Sequence, residues 1–292
     1  MGHAPPLVLE GDDLEVVLLP EHGARLHRIL AFGVDLLRTP DEVEAHETDP
    51  FFWGAYPMAP WCNRIIPGPQ PVAGRTIDLA PNFPDGTAIH GLVATRPWQL
   101  DGDRIVRVVG GGDGWPWTFE VSLLATVEAR TLTLAYALAN LADEPMPAGL
   151  GLHPWFRSPL ELRVPAAEVY AANSGSASDP EPARDDLDLR ALAAPPPGLD
   201  VTFAAVTPPV IELAWPGLGL RATLEAATSG DTLVAVATPP DIDAVAVEPQ
   251  THGPDGLRRL LSGERDALDL LAPGDALSLE LRLTFGRDGA YR

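Results

Sequence analysis

The sequence contains no lysine: all 20 of its basic residues are arginines. Without a lysine amine the chain cannot form a Schiff base with a carbonyl substrate or with pyridoxal phosphate. It also cannot build the lysine-dependent phosphate loop of nucleotide-binding proteins. Cysteine is nearly as scarce, since Cys62 is the single cysteine in 292 residues. A disulfide within the chain and a cysteine-rich zinc site are therefore excluded, and a reducing compartment fits this usage.

Positive charge is scarce relative to negative charge. The chain has 41 acidic residues against 20 basic ones, which gives a formal net charge of −21. Such a field repels nucleic-acid backbones and anionic lipid surfaces, so we expect no nucleic-acid partner and no membrane partner. No apolar run reaches the roughly 18 residues that a membrane-spanning helix needs. Residues 1–6 lack the basic and apolar pattern of a secretory signal, so the expected location is cytoplasmic.

Long helical periodicity is almost absent, and alternation with a period of two takes its place. Residues 277–285 alternate leucine or phenylalanine with polar side chains, and residues 131–138 and 119–127 show related patterns. This alternation is typical of half-buried antiparallel strands. Residues 101–103, Asp-Gly-Asp, predict a tight hairpin turn. Further strands are expected at residues 14–19, 76–79, 210–215, 219–226, 232–237 and 244–247.

The many short strands predict an all-β fold, a large antiparallel sandwich or barrel, with few short helices. The 32 prolines and 27 glycines punctuate the chain into short segments without marking a linker. We therefore expect one domain over residues 1–292. Short helical turns are predicted near residues 40–47 and 256–261, and residues 173–197 are expected to form a long surface excursion.

Four stretches interrupt the strand pattern with polar or ionisable side chains where strands run into loops. The first places Asn63 and Arg64 before two isoleucines and a Pro-Gly turn. A guanidinium with five donors suits sugar hydroxyls or a carboxylate, and a structural arginine–carboxylate pair is the alternative. The second places His90 before Gly91, where a tight turn is easy. A hydrogen-bonded structural histidine is the alternative there.

The third stretch places His153 just before Pro154 and two aromatic residues. An imidazole beside aromatic rings suits a sugar, whose C–H face packs on the rings while its hydroxyls form hydrogen bonds. The fourth stretch ends an apolar run in Glu248, which Pro249 follows. A carboxyl group that emerges from a buried strand is expected to have a raised pKa, as a general base working near neutrality requires. A core histidine and an ordinary strand-end glutamate are the structural alternatives.

In this order and at this spacing, the four stretches resemble the aldose 1-epimerase (galactose mutarotase-like) family. The resemblance runs from about Pro57 to Leu257, and the short chain is most similar to the less characterised bacterial branch. The most specific motif, residues 151–156, looks like the family's Gly-x-His-Pro-aromatic-Phe sequence. The other matching segments are Asn63–Arg64–Ile65 with Gly68, Asn82 with His90–Gly91 and Trp98, Leu199–Asp200 with Phe203, and Glu248–Pro249–Gln250 with Pro254–Asp255.

The resemblance implies a large antiparallel β-sandwich with the sugar in an open cleft, in agreement with the strand pattern. It implies interconversion of the α and β anomers of a free aldose by acid–base ring opening. Glu248 is expected to be the general base, His153 the general acid and His90 a second imidazole near the ring oxygen. The acid role requires a pKa of His153 near or above neutrality. No metal and no cofactor are implied. The residues expected to contact the sugar are Asn63, Arg64, Asn82, Trp155, Asp200 and Gln250.

Two departures from the family pattern keep alternatives open. Arg157 and Arg258 stand at or near positions where asparagine is usual. An arginine cluster at the cleft would favour a hexose-6-phosphate mutarotase. A non-catalytic sugar-binding protein on the same fold is a second alternative. A third is a metalloenzyme that uses His90, His153 and Glu248 as a two-histidine, one-carboxylate site. The expected partner is a small sugar, and both a monomer and a homodimer remain open.

Overall fold

The computed structural model describes residues 5–102, 105–173 and 178–287. Over these ranges the chain forms two short helices, α1 (Ala45–Thr48) and α2 (Gly256–Ser262). Each overlaps a helical turn predicted from the sequence, α1 only at the end of the predicted range and α2 over all of it. Neither they nor any other helix in these ranges has the length and apolar character needed to cross a bilayer. Single 3-10 turns lie at Pro20–His22, Asp185–Leu187 and Pro216–Leu218.

The rest of the regular structure in the described ranges consists of 25 short strands. In chain order they are β1 (Leu7–Gly11), β2 (Leu14–Leu19), β3 (Arg25–Ala31), β4 (Val34–Asp35), β5 (Ala55–Met58), β6 (Arg64–Ile65), β7 (Gln70–Val72), β8 (Arg75–Ile77), β9 (Ala88–Ile89), β10 (Gln99–Asp101), β11 (Ile105–Gly112), β12 (Trp115–Glu128), β13 (Thr131–Asn140), β14 (Met146–Ala148), β15 (Gly151–Arg157), β16 (Glu161–Arg163), β17 (Ala166–Tyr170), β18 (Glu181–Pro182), β19 (Asp200–Val206), β20 (Val210–Trp215), β21 (Leu220–Thr228), β22 (Leu233–Ala237), β23 (Ala244–Gln250), β24 (Asp269–Leu271) and β25 (Ala276–Arg287).

Most strands belong to two large antiparallel sheets. Sheet A has the order β1-β2-β3-β5-β15-β23-β22-β19-β17-β18, with β4 beside β3. Sheet B has the order β10-β11-β12-β13-β25-β21-β20-β16. Side chains from both sheets share one buried apolar cluster, so the sheets pack face to face. Three two-stranded ribbons, β14–β24, β6–β9 and β7–β8, complete the structure in the described ranges. The all-β sandwich predicted from the sequence is confirmed.

Sheet B shows the alternation that the sequence predicts. Every second residue of β13 is buried, and most of β25 alternates in the same way. One face of these strands therefore packs on the core while the other meets solvent. Strand β10 pairs with β11 as a hairpin across Gly102, which has a φ of +79°. The predicted turn residue Asp103 lies outside the described residues, as does Arg104.

The centre of sheet A shows no such alternation. Six of the seven residues of β15 and all residues of β23 are buried, because apolar side chains cover both faces of these strands. On one face Phe156 and Val247 join the core shared with sheet B, and on the other Trp155 and Ala246 join a second cluster. A strand that is buried on both faces loses its period of two. The sequence pattern consequently does not predict β15, although this strand carries the third polar stretch.

Candidate active site

His153 and Glu248 lie side by side on the two central strands of sheet A. Trp155 on β15 lies opposite Ala246 on β23, and this register places His153 opposite Glu248. The His153 Nε2 and Glu248 Oε1 atoms are 3.1 Å apart, and the two side chains are only 5% and 7% exposed. This separation is within the range over which a proton passes directly between two groups.

Burial sets the charge of this pair. It raises the pKa of Glu248 to about 8, with a smaller contribution from the nearby Asp200 carboxylate. It lowers the pKa of His153 to about 3, and the buried Arg25 guanidinium adds to this effect. Both shifts disfavour the charged form, so at neutral pH the pair is a carboxylic acid beside a neutral imidazole and holds one proton. The raised pKa of Glu248 agrees with the prediction.

The expectation that the pKa of His153 is near or above neutrality is wrong. That expectation relied on a neighbouring carboxylate to stabilise the imidazolium. The neighbour is Glu248, which burial keeps protonated, so it supplies little negative charge. Desolvation of His153 therefore dominates. The proton that a general acid needs is present in the pair, but it rests on the carboxyl group.

His90 completes the group of ionisable side chains. Its ring lies 5.0 Å from that of His153, edge to face. The backbone N–H of Asn63 donates to His90 Nδ1 over 3.3 Å. Burial holds the pKa of His90 well below its ordinary value, so the ring is neutral and its proton sits on Nε2. His90 thus offers an N–H donor at the cleft that it lines.

The same tautomer bears on the metalloenzyme alternative. Ligand atoms of His90, His153 and Glu248 lie within 4.8 Å of one another, which is close enough to consider a metal. However, His90 Nδ1 already accepts the Asn63 N–H, and its Nε2 carries the proton. Binding a metal would break that hydrogen bond or displace that proton, and it would also require Glu248 to ionise. The arrangement fits proton transfer better than metal ligation.

The strand ribbon β6–β9 brings Arg64 and His90 together. Arg64 pairs with Ile89, the residue before His90. Asn63 and His90 adopt φ of +56° and +57°, left-handed conformations that bend the chain at each end of the ribbon. Gly91 follows with a φ of +77°, and a Cβ there would lie 1.9 Å from a backbone oxygen of Ala59. Glycine is therefore required at this position.

Arg64 is held by carboxylates rather than left free. Its Nε donates to Asp85 Oδ2 over 2.7 Å, and its Nη1 lies 3.6 Å from Asp200 Oδ2. Nη1 also donates to Asn63 Oδ1 over 3.2 Å. The structural alternative for Arg64 is thus correct in part, since the ion pairs exist. They also orient the guanidinium at the cleft.

Asp200 is held from the other side. Asn173 Nδ2 donates to Asp200 Oδ1 over 2.9 Å, and the hydroxyl of Thr202 donates to Asn173 Oδ1 over 2.6 Å. The sequence analysis missed Asn173 as well as Asp85. Asp85 stands in a Pro-Asp-Gly turn, and Asn173 opens a stretch predicted as surface excursion, so neither carries a local signal for the site.

These side chains line one cleft of about 260 Å³. Seven residues that the sequence nominated lie together in its wall: Asn63, Arg64, His90, His153, Trp155, Asp200 and Glu248. Tyr56, which the sequence analysis missed, also lines it and stacks on His153 with ring centroids 4.7 Å apart. Tyr56 stands in an aromatic stretch with no polar break to mark it.

Asn82 and Gln250 lie elsewhere. Asn82 uses its amide on the backbone of Ile89, accepting from the N–H over 2.7 Å and donating to the carbonyl over 3.2 Å. Gln250 is fully buried and donates to the carbonyl of His252 over 2.8 Å. Neither is among the residues that line the cleft. The expectation of direct sugar contact is therefore replaced by a bracing role for both.

Arg157 and Arg258 do not form an arginine cluster at the cleft. Arg157 donates to the carbonyl of Leu37 over 2.6 Å, and Arg258 lies 2.7 Å from a carboxylate oxygen of Glu264. Among the described residues that line the cleft, Arg64 is the one arginine. The hexose-6-phosphate alternative loses the cation cluster on which it depended.

The chain is similar in sequence to two curated proteins. The chain is 28% identical to the uncharacterized Escherichia coli K12 protein YihR over 145 residues, which are 45% of this chain and 47% of YihR. It thus spans about half the length of that relative. It is 26% identical to the uncharacterized E. coli K12 protein YphB over 250 residues, covering 78% of this chain and 82% of YphB.

A solved structure shares the fold. The crystal structure of the GalM/aldose epimerase homologue from C. elegans superimposes with a TM-score of 0.79 at 19% identity. The match covers 98% of this chain and 99% of that protein. Residues 7–256, most of the chain, match the family described as aldose 1-epimerase. With the buried acid–imidazole pair at the centre of the same sandwich, the chain belongs to the aldose 1-epimerase family.

Proposed function

We propose that the protein is a mutarotase that interconverts the α and β anomers of a free aldose by opening and closing the sugar ring. The observation that carries this proposal is the 3.1 Å contact between buried His153 and Glu248. Their pKa shifts leave one mobile proton in the pair at neutral pH. Opening a cyclic hemiacetal requires one proton to be removed and one to be supplied, and such a pair does both.

Ring opening moves two protons and breaks one bond. The Glu248 carboxylate takes the proton of the anomeric hydroxyl, and the C1–O5 bond breaks as the C1=O1 double bond forms. O5 then takes the proton from His153 Nε2. Glu248 ends protonated and His153 neutral. Rotation about the C1–C2 bond turns the other face of the aldehyde toward O5, and the reverse transfers close the ring as the second anomer.

The electrostatics of the pair suit this cycle. The reactive form, with the proton on His153, is reached by a proton shift across the 3.1 Å contact. The form that accompanies the open-chain aldehyde is the neutral one, which burial favours. The intermediate is thus held without separated charges. No electrons move, so the reaction calls for no redox cofactor.

The remaining side chains position the sugar. In this proposal His90 Nε2–H donates to the ring oxygen and the Arg64–Asp200 pair binds hydroxyl groups; all three residues line the cleft, which supports these roles. A guanidinium donates and a carboxylate accepts, so the two together suit hydroxyls, which do both. Apolar surface in the cleft comes from Phe51, Phe52 and Trp155.

Polarimetry on freshly dissolved α-D-glucose and α-D-galactose tests the proposal. Catalysed relaxation is expected from the wild type. Because a positioned acid or base typically contributes about 10²–10⁴-fold, Glu248→Gln and His153→Ala are each expected to lose about that factor. Glu212→Gln and His22→Ala are the matched controls, since neither residue lines the cleft. A folded wild type that accelerates no aldose would instead support a role in sugar binding without catalysis.

A further inference from the structure

The cleft is polar on one side and apolar on the other. Arg64 and Asp200 provide the polar side, together with Asn173. We use "aromatic wall" for the part of the cleft formed by Phe51, Phe52 and Trp155. Phe83 stacks on Phe52 with ring centroids 6.2 Å apart and joins this wall to the polar side, since the guanidinium carbon of Arg64 lies 5.5 Å from the Phe83 ring centre. The rings of Phe52 and Trp155 stack with centroids 6.1 Å apart and an interplanar angle of 25°. Trp155 is only 3% exposed, so little of its ring is open to the cleft.

The polar atoms of the aromatic wall are already engaged inside the protein. The indole N–H of Trp155 donates to the carbonyl of Phe51 over 2.8 Å, and the Tyr56 hydroxyl donates to the same carbonyl over 3.1 Å. The wall therefore has no side-chain hydrogen-bond donor left for a ligand among these residues.

The backbone of this segment is engaged as well. Arg25 donates to the carbonyls of Pro50 and Trp53, each over 2.6 Å. Arg38 donates to the carbonyl of Phe52. The backbone N–H of Trp155 donates to the carbonyl of Gly54 over 2.9 Å. Each carbonyl from residue 50 to residue 54 thus accepts a hydrogen bond from within the protein.

The register of sheet A sets the order of the groups across the cleft. Trp155 lies opposite Ala246, Ala246 opposite Ala237, and Ala237 opposite Asp200. These four residues form one row across β15, β23, β22 and β19. Neighbouring strands are about 4.8 Å apart, so about 14 Å separates the ends of the row. A single pyranose ring with its substituents fits this span.

The same order orients the sugar. His153 is on β15 and Glu248 on β23, so the ring oxygen lies toward β15 and C1 toward β23. C2 and C3 then continue toward Asp200 and Arg64. C5 is bonded to the ring oxygen on the side away from C1, so its C6 substituent points toward the aromatic wall. A hydroxyl group on C6 would lose water there without gaining a partner, whereas a methyl group would gain apolar contact.

We propose that the cleft selects aldoses without a C6 hydroxyl group, the 6-deoxyhexoses, over the corresponding hexoses. This inference rests on the proposed mutarotase function, because the placement of the ring follows from the roles of His153 and Glu248. The aromatic wall disfavours a C6 hydroxyl group. The Arg64–Asp200 pair binds the hydroxyl groups that hexoses and 6-deoxyhexoses share.

D-Fucose and D-galactose test the inference, since they differ only in the C6 hydroxyl. We expect kcat/KM to be about 10-fold or more higher for D-fucose, with a ceiling near 100-fold because an apolar pocket rejects an added hydroxyl only weakly. Phe52→Asn, which places an amide on the aromatic wall, should bring the ratio toward one. Asp200→Ala should lower kcat/KM for both sugars and leave the ratio unchanged. A ratio of one or less in the wild type overturns the proposal.

Calorimetric binding to Glu248→Gln separates this inference from the proposed function. Tighter binding of D-fucose than of D-galactose, together with no catalysed mutarotation by the wild type, would keep the preference and reject the mutarotase. Catalysis of both sugars with equal affinity and equal kcat/KM would keep the mutarotase and reject the preference. Circular dichroism of Phe52→Asn confirms that the variant is folded before its ratio is interpreted.

Discussion

The guanidinium carbon of Arg25 lies 4.8 Å from the centre of the Tyr56 ring, and both side chains are fully buried. Tyr56 in turn stacks on His153. A cation buried behind the imidazole disfavours a second positive charge on it, which is one cause of the low pKa of His153. The same guanidinium holds the carbonyls of Pro50 and Trp53. Arg25 thus links the wall of the cleft to the charge state of the His153–Glu248 pair.

Replacing Arg25 with methionine is expected to destabilise the protein. The change removes the donor to the carbonyls of Pro50, Trp53 and Ala94, and the free energy of unfolding should fall by about 2–4 kcal/mol. Chemical denaturation followed by tryptophan fluorescence measures this loss. Arg190→Met, whose side chain is 56% exposed, is the control and should change stability by less than about 0.5 kcal/mol. Equal losses in the two variants would show that the buried contacts contribute little.

The activity should depend on pH through the single proton of the pair. Glu248 releases it with a pKa of about 8, and His153 takes up a second proton with a pKa of about 3. We therefore expect kcat/KM to be level between these values and to decline above about pH 8. Polarimetry across pH 5–10, with the uncatalysed rate subtracted at each pH, gives the profile. An activity that rises through pH 8 would contradict a pair that works with one proton.

Stability should depend on the same carboxyl group. The pKa of Glu248 is raised from 4.5 to about 8 on folding, so its protonation stabilises the folded state fully below about pH 4.5. This contribution is lost as the pH rises through about 8. Glu248→Gln cannot ionise, so its Tm should increase relative to the wild type between pH 5 and pH 9. Differential scanning calorimetry measures the difference, and a value independent of pH would reject the assignment.

The ion pair between Arg64 and Asp85 should act on binding more than on chemistry. Asp85→Asn removes the charge that holds the guanidinium by its Nε atom. We expect KM to rise about 10-fold while kcat stays within about twofold, the result of losing an interaction made equally before and during the reaction. Asp113→Asn is the matched control, because Asp113 makes a 2.6 Å pair with Arg96 and does not line the cleft. A fall in kcat with unchanged KM would place Arg64 in the chemistry instead.

The sequence predicts the strands of sheet B better than those of sheet A, for a physical reason. Strands β13 and β25 expose one face, so their apolar residues alternate. Strand β15 is covered on both faces, and a continuous run of buried residues carries no period. The polar interruptions at His153 and Glu248 are visible only because charge and hydrogen-bonding groups are rare in such strands.

The side chains proposed to be catalytic are more predictable from the sequence than the residues around them. His90, His153 and Glu248 stand out as breaks in an apolar pattern, whereas Asp85 and Asn173 stand in segments typical of turns and loops. Asp85 contacts Arg64 and Asn173 contacts Asp200 only because the fold brings these separate segments together. The pKa of His153 was unpredictable for the same reason, since it depends on how deeply the fold buries the ring and on Arg25, which is far away along the chain.

The row from Trp155 to Asp200 crosses the sheet on two alanines, and one of them, Ala237, lines the cleft. The methyl group of Ala237 leaves open space in the cleft, which the proposed sugar substrate would occupy. Enlarging the side chain of Ala237 would narrow that space next to Asp200, which lies opposite it on β19, and would leave His153 and Glu248 in place. Under the proposed function, the size of this one side chain limits which sugars fit, and the His153–Glu248 pair on the neighbouring strands stays as it is.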